Sequence, residues 1–166
     1  MTAEIESNLK QGNILTPRLH LVAWEITRSC NLFCAHCRGS ATPTSYSGEL
    51  TTDECFRLVD QILEVGNPII ILTGGEPLVR SDVLQIAKYA VSKGLRVVMG
   101  TNGTLITEEI ASKLKEVPIS RLGISLDFPV SELQDEFRGQ TGAFDAVMAG
   151  IANAHKAGCL LYTSDA

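Results

Sequence analysis

No apolar run in this 166-residue sequence approaches the length needed to cross a bilayer. The longest, Pro68-Ile69-Ile70-Ile71-Leu72, has the length of a buried strand. Positive charge is also scarce. Fourteen Lys and Arg against 19 Asp and Glu leave a formal charge of −5, which removes the electrostatic case for nucleic acid or an anionic membrane as main partner. No block of like charges forms a tail. The opening residues, Met1-Thr2-Ala3-Glu4-Ile5-Glu6-Ser7, lack the apolar core of an export signal. The cysteines number five, an odd count, and three of them crowd together, which argues for metal binding in a reducing compartment over disulfides. The expected location is therefore cytoplasmic. With 45% hydrophobic and 20% charged residues, the chain suits one globular domain large enough to bury a real core.

What is present is an alternation of strand-like and helix-like segments. Residues 1–17 carry little periodicity and read as a flexible lead-in, with one domain over 18–158. Residues 20–27 predict a strand and 38–50, rich in Ser, Thr, Gly and Pro, a loop. Thr51 and Glu54 have the spacing of a capping box, opening a helix that Gly66 should close with a left-handed cap. Strand 69–73 is wholly apolar, as in a parallel sheet buried on both faces. A helix capped by Ser81 and running to Lys93, a strand at 96–100, a helix from Thr107, a strand at 121–127 and a helix at 142–156 follow. Four consecutive βα units with short connections predict an α/β fold with a parallel sheet, whose ligand chemistry lies at the carboxyl ends of the strands.

The unusual motifs fall at those ends. After the first strand come Cys30, Cys34 and Cys37, spaced Cys-x3-Cys-x2-Cys. Three thiolates cannot complete the four-ligand set of a structural zinc site or a plain iron–sulfur site, so one metal position is left without a protein ligand. The competing readings are a zinc loop that borrows a fourth ligand, from His36 or a distant Cys, and three unrelated buried thiols. The second strand ends in Thr73-Gly74-Gly75-Glu76-Pro77, where the glycines remove side chains from a backbone edge that must approach a ligand. The third ends in Gly100-Thr101-Asn102-Gly103 and the fourth in Ser125-Leu126-Asp127.

The cysteine spacing and the Gly-Gly-Glu turn together resemble the radical S-adenosylmethionine (radical SAM) superfamily. Its fold is a partial (β/α) barrel of about six units, of which about four are counted here. The resemblance implies that Cys30, Cys34 and Cys37 hold a [4Fe–4S] cluster whose fourth iron is chelated by SAM. It implies that Gly74, Gly75 and Glu76 contact the methionine amino group, so a side chain on either glycine should weaken SAM binding and spare the cluster. Asn102 and Ser125 fall where relatives contact the ribose and methionyl portion. Arg138 falls where an arginine meets either the SAM carboxylate or a neighbouring acidic residue. His36 is expected to pack by the adenine edge or within the cluster loop, and not as a metal ligand; Cys55 and Cys159 are expected to be packing thiols. Phe128-Pro129 stands where many relatives carry Gly after Leu-Asp, which leaves the local loop shape open. The runs 21–31, 36–38, 72–78 and 100–105 are similar to the haem-biosynthesis branch, with peptide maturases as neighbours. The implied activity is reductive SAM cleavage to a 5′-deoxyadenosyl radical, for oxidative decarboxylation of a tetrapyrrole or modification of a peptide. The implied partner is an electron donor such as flavodoxin or ferredoxin. The alternative of another class is a non-catalytic metal-binding module.

Residues 159–166 resemble a translated sequencing adapter, and the competing expectation is a fifth strand beginning at Leu160. With four units only, the fourth strand would be an unpaired edge and the chain as it stands would not sustain turnover.

Overall fold

The computed structural model describes residues 18–44 and 46–163; the lead-in at 1–17 and the last three residues of the tail lie outside them. The described elements are β1 (Leu21–Thr27), α1 (Thr52–Val65), β2 (Ile69–Gly74), a 3₁₀ turn (Pro77–Val79), α2 (Val83–Ser92), β3 (Arg96–Thr101), α3 (Glu108–Glu116), β4 (Arg121–Ile124), α4 (Ser131–Arg138), α5 (Ala143–Lys156) and β5 (Leu161–Thr163). The strands form one sheet in the order β1-β2-β3-β4-β5, and every pairing is parallel. A parallel sheet whose spatial order follows the sequence, with right-handed crossovers, carries all its connecting helices on one face. The α/β parallel architecture expected of the sequence is present, with one strand more than the four counted. Leu161–Thr163 pairs with β4, so β4 is not the unpaired edge.

The covered face holds the core. Ile70, Leu72, Val97, Met99, Leu122 and Ile124 are buried there against Val59 and Ile62 of α1, Ile86 and Ala87 of α2, Leu114 of α3 and Val147 of α5. Strand β2 is not buried on both faces as its apolar run implied: Ile69, Ile71 and Thr73 are only half-buried. Their side faces away from the helices. On that open side, Glu25 lies opposite Thr73 and Gly100 opposite Gly123, so glycine keeps the middle of the sheet low.

The capping box of α1 forms as expected, with Thr51 accepting from the Glu54 amide and Glu54 returning to the Thr51 amide. Gly66 departs from expectation, since it is extended (φ 168°) rather than left-handed. Helix α2 starts one residue later than expected, with Asp82 and not Ser81 at the cap. The Asp82 carboxylate does not cap it, because Arg80 Nε (2.6 Å), Arg80 Nη2 (3.0 Å) and Thr52 Oγ1 (2.6 Å) occupy it. Arg80 also donates to the carbonyls of Ile26 (2.9 Å) and Leu50 (2.7 Å), binding β1 to the loop before α1.

Strand β4 stops at Ile124 rather than Asp127. The reason is Gln134 on α4, a helix that the sequence reading did not assign. Gln134 is buried, and its Oε1 accepts from the amides of Asp127 and Phe128, both at 3.1 Å. Those amides turn to a side chain instead of a neighbouring strand, which settles the shape of the Phe128-Pro129 loop.

Arg80→Met is expected to cost about 3 kcal/mol in urea unfolding at pH 7, because it leaves the Asp82 charge without its cation and two carbonyls without their Arg80 donors in a largely buried site. The Arg80 hydrogen bond holds the Asp82 carboxyl below its usual value. That contribution is present above the unfolded carboxylate value, about 3.9, and is lost as pH falls from there through the depressed native value. The gap between parent and variant should therefore narrow in acid.

Candidate functional site

A cavity of about 360 Å³ opens at the carboxyl ends of the strands, on the face away from the helices. Its wall includes Cys30, Cys34, Cys37 and His36 from the loop after β1, Gly74 and Gly75 after β2, Asn102 after β3, Ser125 after β4, and Arg138 from α4. Nine of the ten residues singled out from the sequence thus meet in one place. Glu76 is the exception, and it does not line the cavity.

The cysteine loop has no regular structure, so its backbone groups must find partners elsewhere. Three elements supply them. At its start, a register slip in β1 between Glu25 and Thr27 re-aims the chain. Gly75 N then donates to Thr27 O and Glu76 N to Ser29 O, both at 2.8 Å. On its outer side, Cys30 N donates to Thr42 O at 2.9 Å. At the far end, Phe33 N donates to Arg138 O (3.1 Å) and Ala35 N to Phe137 O (2.9 Å), so the last turn of α4 clamps the loop. Leu32 and Cys30 are buried against Ala143 at the start of α5.

This arrangement gives the two glycines a packing role. A Cβ on Gly74 would stand 2.1 Å from Thr27 O, and one on Gly75 2.2 Å from Ser29 O. Gly74 also has φ +135°, a conformation that side chains disfavour. The close approach seen here is to the protein's own backbone, on a turn that also lines the cavity. Gly139 is constrained likewise, with φ +67° and Phe33 O 2.3 Å from where a Cβ would lie.

Glu76 is wholly buried. Its carboxyl accepts from Thr101 Oγ1 (2.7 Å), Leu78 N (3.0 Å) and Asn102 N (2.7 Å), welding the turn after β2 to the end of β3. Burial pushes this carboxyl above its usual range, while the amides of Asn102 and Leu78 and the Thr101 hydroxyl oppose the shift. The side chain organises the site from behind; only backbone at this turn and the two glycines face the cavity side.

Asn102 is also largely committed to protein. Its Nδ2 donates to Asn31 Oδ1 at 2.9 Å and lies 3.9 Å from Cys30 Sγ, and its Oδ1 accepts from Thr104 N (2.9 Å) and Thr104 Oγ1 (2.7 Å). Asn31 Nδ2 closes the triangle on Thr104 Oγ1 at 2.9 Å. Asn31 and Thr104 were not among the residues singled out, although an Asn followed two residues on by a hydroxyl is a legible turn signal. Ser125 N donates to Thr101 O at 3.1 Å, which sets that residue on the cavity wall. His36 stacks on Phe137, with ring centroids 4.2 Å apart and planes 8° from parallel. Arg138 pairs with Asp127, the acidic neighbour that was one of its two expected partners.

The three sulfurs are each met by N–H donors. Leu32 N lies 3.4 Å from Cys30 Sγ, Ala41 N 3.4 Å from Cys37 Sγ, and Arg138 Nη1 3.6 Å from Cys34 Sγ. Burial pushes the Cys30 thiol up, against the Leu32 amide. Donors aimed at sulfur are what a thiolate ligand requires. Among the described residues, no three His, Cys, Asp or Glu side chains gather closely enough to hold one metal ion. A single zinc would draw its sulfurs to about 2.3 Å from one centre, whereas a cubane takes one thiolate at each iron and spreads them. The donor set and Arg138 Nε, buried without a protein acceptor, fit the larger group.

Gly75→Ala is expected to lower cluster loading together with stability, by about 1–3 kcal/mol, because the methyl group displaces the cysteine loop itself. Iron content and urea midpoint of the same preparations check this. A variant that loads iron normally and keeps its urea midpoint would overturn the packing role.

The sequence pattern of the radical SAM superfamily matches residues 24–164. An AdoMet-dependent heme synthase of Methanosarcina barkeri is 50% identical over 143 residues, 86% of this chain and 41% of that protein. The mycofactocin maturase MftC of Mycobacterium tuberculosis is 36% identical over 137 residues, 82% of this chain and 34% of that protein. Among solved structures, Streptococcus suis SuiB bound to S-adenosylmethionine superposes with a TM-score of 0.73 at 21% identity, covering 95% of this chain and 36% of that one, a likeness of fold. The chain spans about two fifths of the length of the curated relatives it matches. The match across nearly the whole described sheet, with three cysteines and the Gly74-Gly75 turn on one cavity wall, means that the chain belongs to the radical SAM superfamily.

Proposed function

We propose that this chain provides the cluster- and SAM-binding part of a radical SAM enzyme acting on a tetrapyrrole, by oxidative decarboxylation of a propionate side chain in haem biosynthesis. The observation that carries the radical SAM reading is the cavity in which Cys30, Cys34 and Cys37 face the Gly74-Gly75 turn and Ser125. The tetrapyrrole reading rests on the 50% identity with a haem synthase. When bound, a [4Fe–4S] cluster and SAM supply the one-electron cleavage that generates a hydrogen-abstracting radical. The chain's own residues prepare the place for it. The cysteines offer three ligands and no fourth, the glycine-constrained turn fixes their loop, and Ser125 and Arg138 add polar groups to the wall. His36, held flat on Phe137, offers a ring at the cavity edge. An electron donor such as flavodoxin or ferredoxin is required by the chemistry.

A second reading, modification of a ribosomal peptide, is favoured by the similarity to a mycofactocin maturase. Incubating the whole enzyme with SAM, strong reductant and either a propionate-bearing tetrapyrrole or a peptide separates the two. Carbon dioxide release and 5′-deoxyadenosine formation that depend on the tetrapyrrole support the first; dependence on the peptide alone overturns it. A non-catalytic metal module would form no 5′-deoxyadenosine with any substrate.

The ligand assignment has its own test. Anaerobic reconstitution should load about four iron and four sulfide per chain, and Ala at Cys30, Cys34 or Cys37 should abolish the cluster absorbance and the paramagnetic signal of the reduced protein. Cys55→Ala and Cys159→Ala should keep both. Loss of the cluster in Cys55→Ala would break the three-cysteine assignment.

A further inference from the structure

Cys34 differs from its two companions in what it accepts from. Cys30 and Cys37 accept from neutral backbone amides, of Leu32 and Ala41, with the Asn102 amide also near Cys30. Cys34 faces a cation, since Arg138 Nη1 lies 3.6 Å from its sulfur. Arg138 is only 6% exposed. Asp127 holds its other arm through Nη2, and Nε is buried with no protein acceptor. The same residue fixes the loop through its carbonyl, which accepts from Phe33 N at 3.1 Å. An arginine so enclosed has been removed from water and given one carboxylate in return, and its Nη1 faces the Cys34 sulfur.

We infer that Arg138 is a positioning residue that sets the ease of reduction of the cluster held by Cys30, Cys34 and Cys37: it places a charge-assisted donor on the Cys34 sulfur, and Asp127 fixes and partly offsets that charge. The inference rests on the cluster reading given above. The step concerned is the transfer of a single electron to the cluster, with no bond made or broken and no proton moved. A positive charge and an N–H donor at one thiolate favour the state with the extra electron, and enclosure from water strengthens the effect. Asp127, being negative, opposes it. Removing the two partners should therefore move the potential in opposite directions, whereas a purely structural pair would disturb it in the same direction or lose the cluster.

The test is a potentiometric titration with dithionite of the anaerobically reconstituted chain, read from the paramagnetic signal of the reduced cluster. In Arg138→Met the ratio of reduced to oxidised cluster at a fixed poise should fall at least tenfold, which is about 59 mV for a one-electron couple. In Asp127→Asn the ratio should rise. If Arg138→Met loads no cluster, Arg138→Lys is titrated in its place; it keeps the charge and loses the fork, and should show a smaller fall. An unchanged midpoint in a fully loaded Arg138 variant, or a fall in Asp127→Asn, overturns the inference. Failure of both Arg138 variants to load, beside a parent that loads, also overturns it by making the residue structural. A parent that does not take up about four iron and four sulfide counts instead against the cluster reading.

Discussion

The seam between Thr27-Arg28-Ser29 and Gly74-Gly75-Glu76 is the contact on which the rest of this structure depends. Two backbone hydrogen bonds of 2.8 Å join strand ends that carry no side chains between them, at a distance where even a methyl group collides with a carbonyl. The parallel sheet brings β1 and β2 side by side, but sheet pairing alone would let the two exits diverge. The seam continues the pairing past the last regular ladder bond, and the cysteine loop starts from a fixed point as a result. A glycine here is a packing requirement first, and whatever it offers a ligand comes second.

From that point the polar network runs in one direction. Glu76, anchored by the seam, reaches Thr101 and the Asn102 amide at the end of β3. Asn102 reaches Asn31 and comes near Cys30 inside the loop. A buried carboxyl without partners would be costly, and three donors compensate it. The sharing of one carboxyl between two strand ends makes the carboxyl edge of the sheet a single unit. Asp135 performs the matching task on the other side: it caps α5 by accepting from Gly142 N (2.6 Å) and Phe144 N (2.7 Å), which holds Ala143 against Leu32 and Cys30.

The open face of the sheet then has its chemical character by subtraction. Helices α1, α2, α3 and α5 cover the other face, the middle of the open one is floored by Gly100 and Gly123, and the polar groups left over at the strand ends surround a cavity. Among the described residues no helix is long and apolar enough to cross a membrane.

Much of this was legible from the residues alone. Periodicity located β1, α1, β2, β3, α3 and α5 to within a residue or two, because each has an apolar pattern bounded by a cap or a glycine. The three cysteines, both glycines, Asn102 and Ser125 follow strands directly, and the family resemblance added His36 and Arg138 to the same site. Helix α4 escaped because Ser131–Arg138 is polar with its buried positions filled by Gln134 and Arg138, so no apolar stripe marks it. The end of β4 escaped because a distant glutamine, not a turn residue, terminates it.

Local sequence thus determined which residues would stand at the carboxyl edge, since alternation and capping depend on neighbours within a few positions. What each of them does there was decided by contacts between residues far apart in the chain. The backbone of Thr27 and Ser29 makes the two glycines a packing seam. Thr101 and Asn102 turned Glu76 inward, and Asp127 with Cys34 claimed both arms of Arg138. Hydrogen-bonding capacity is finite, and only the folded arrangement shows which groups have already spent theirs on the protein.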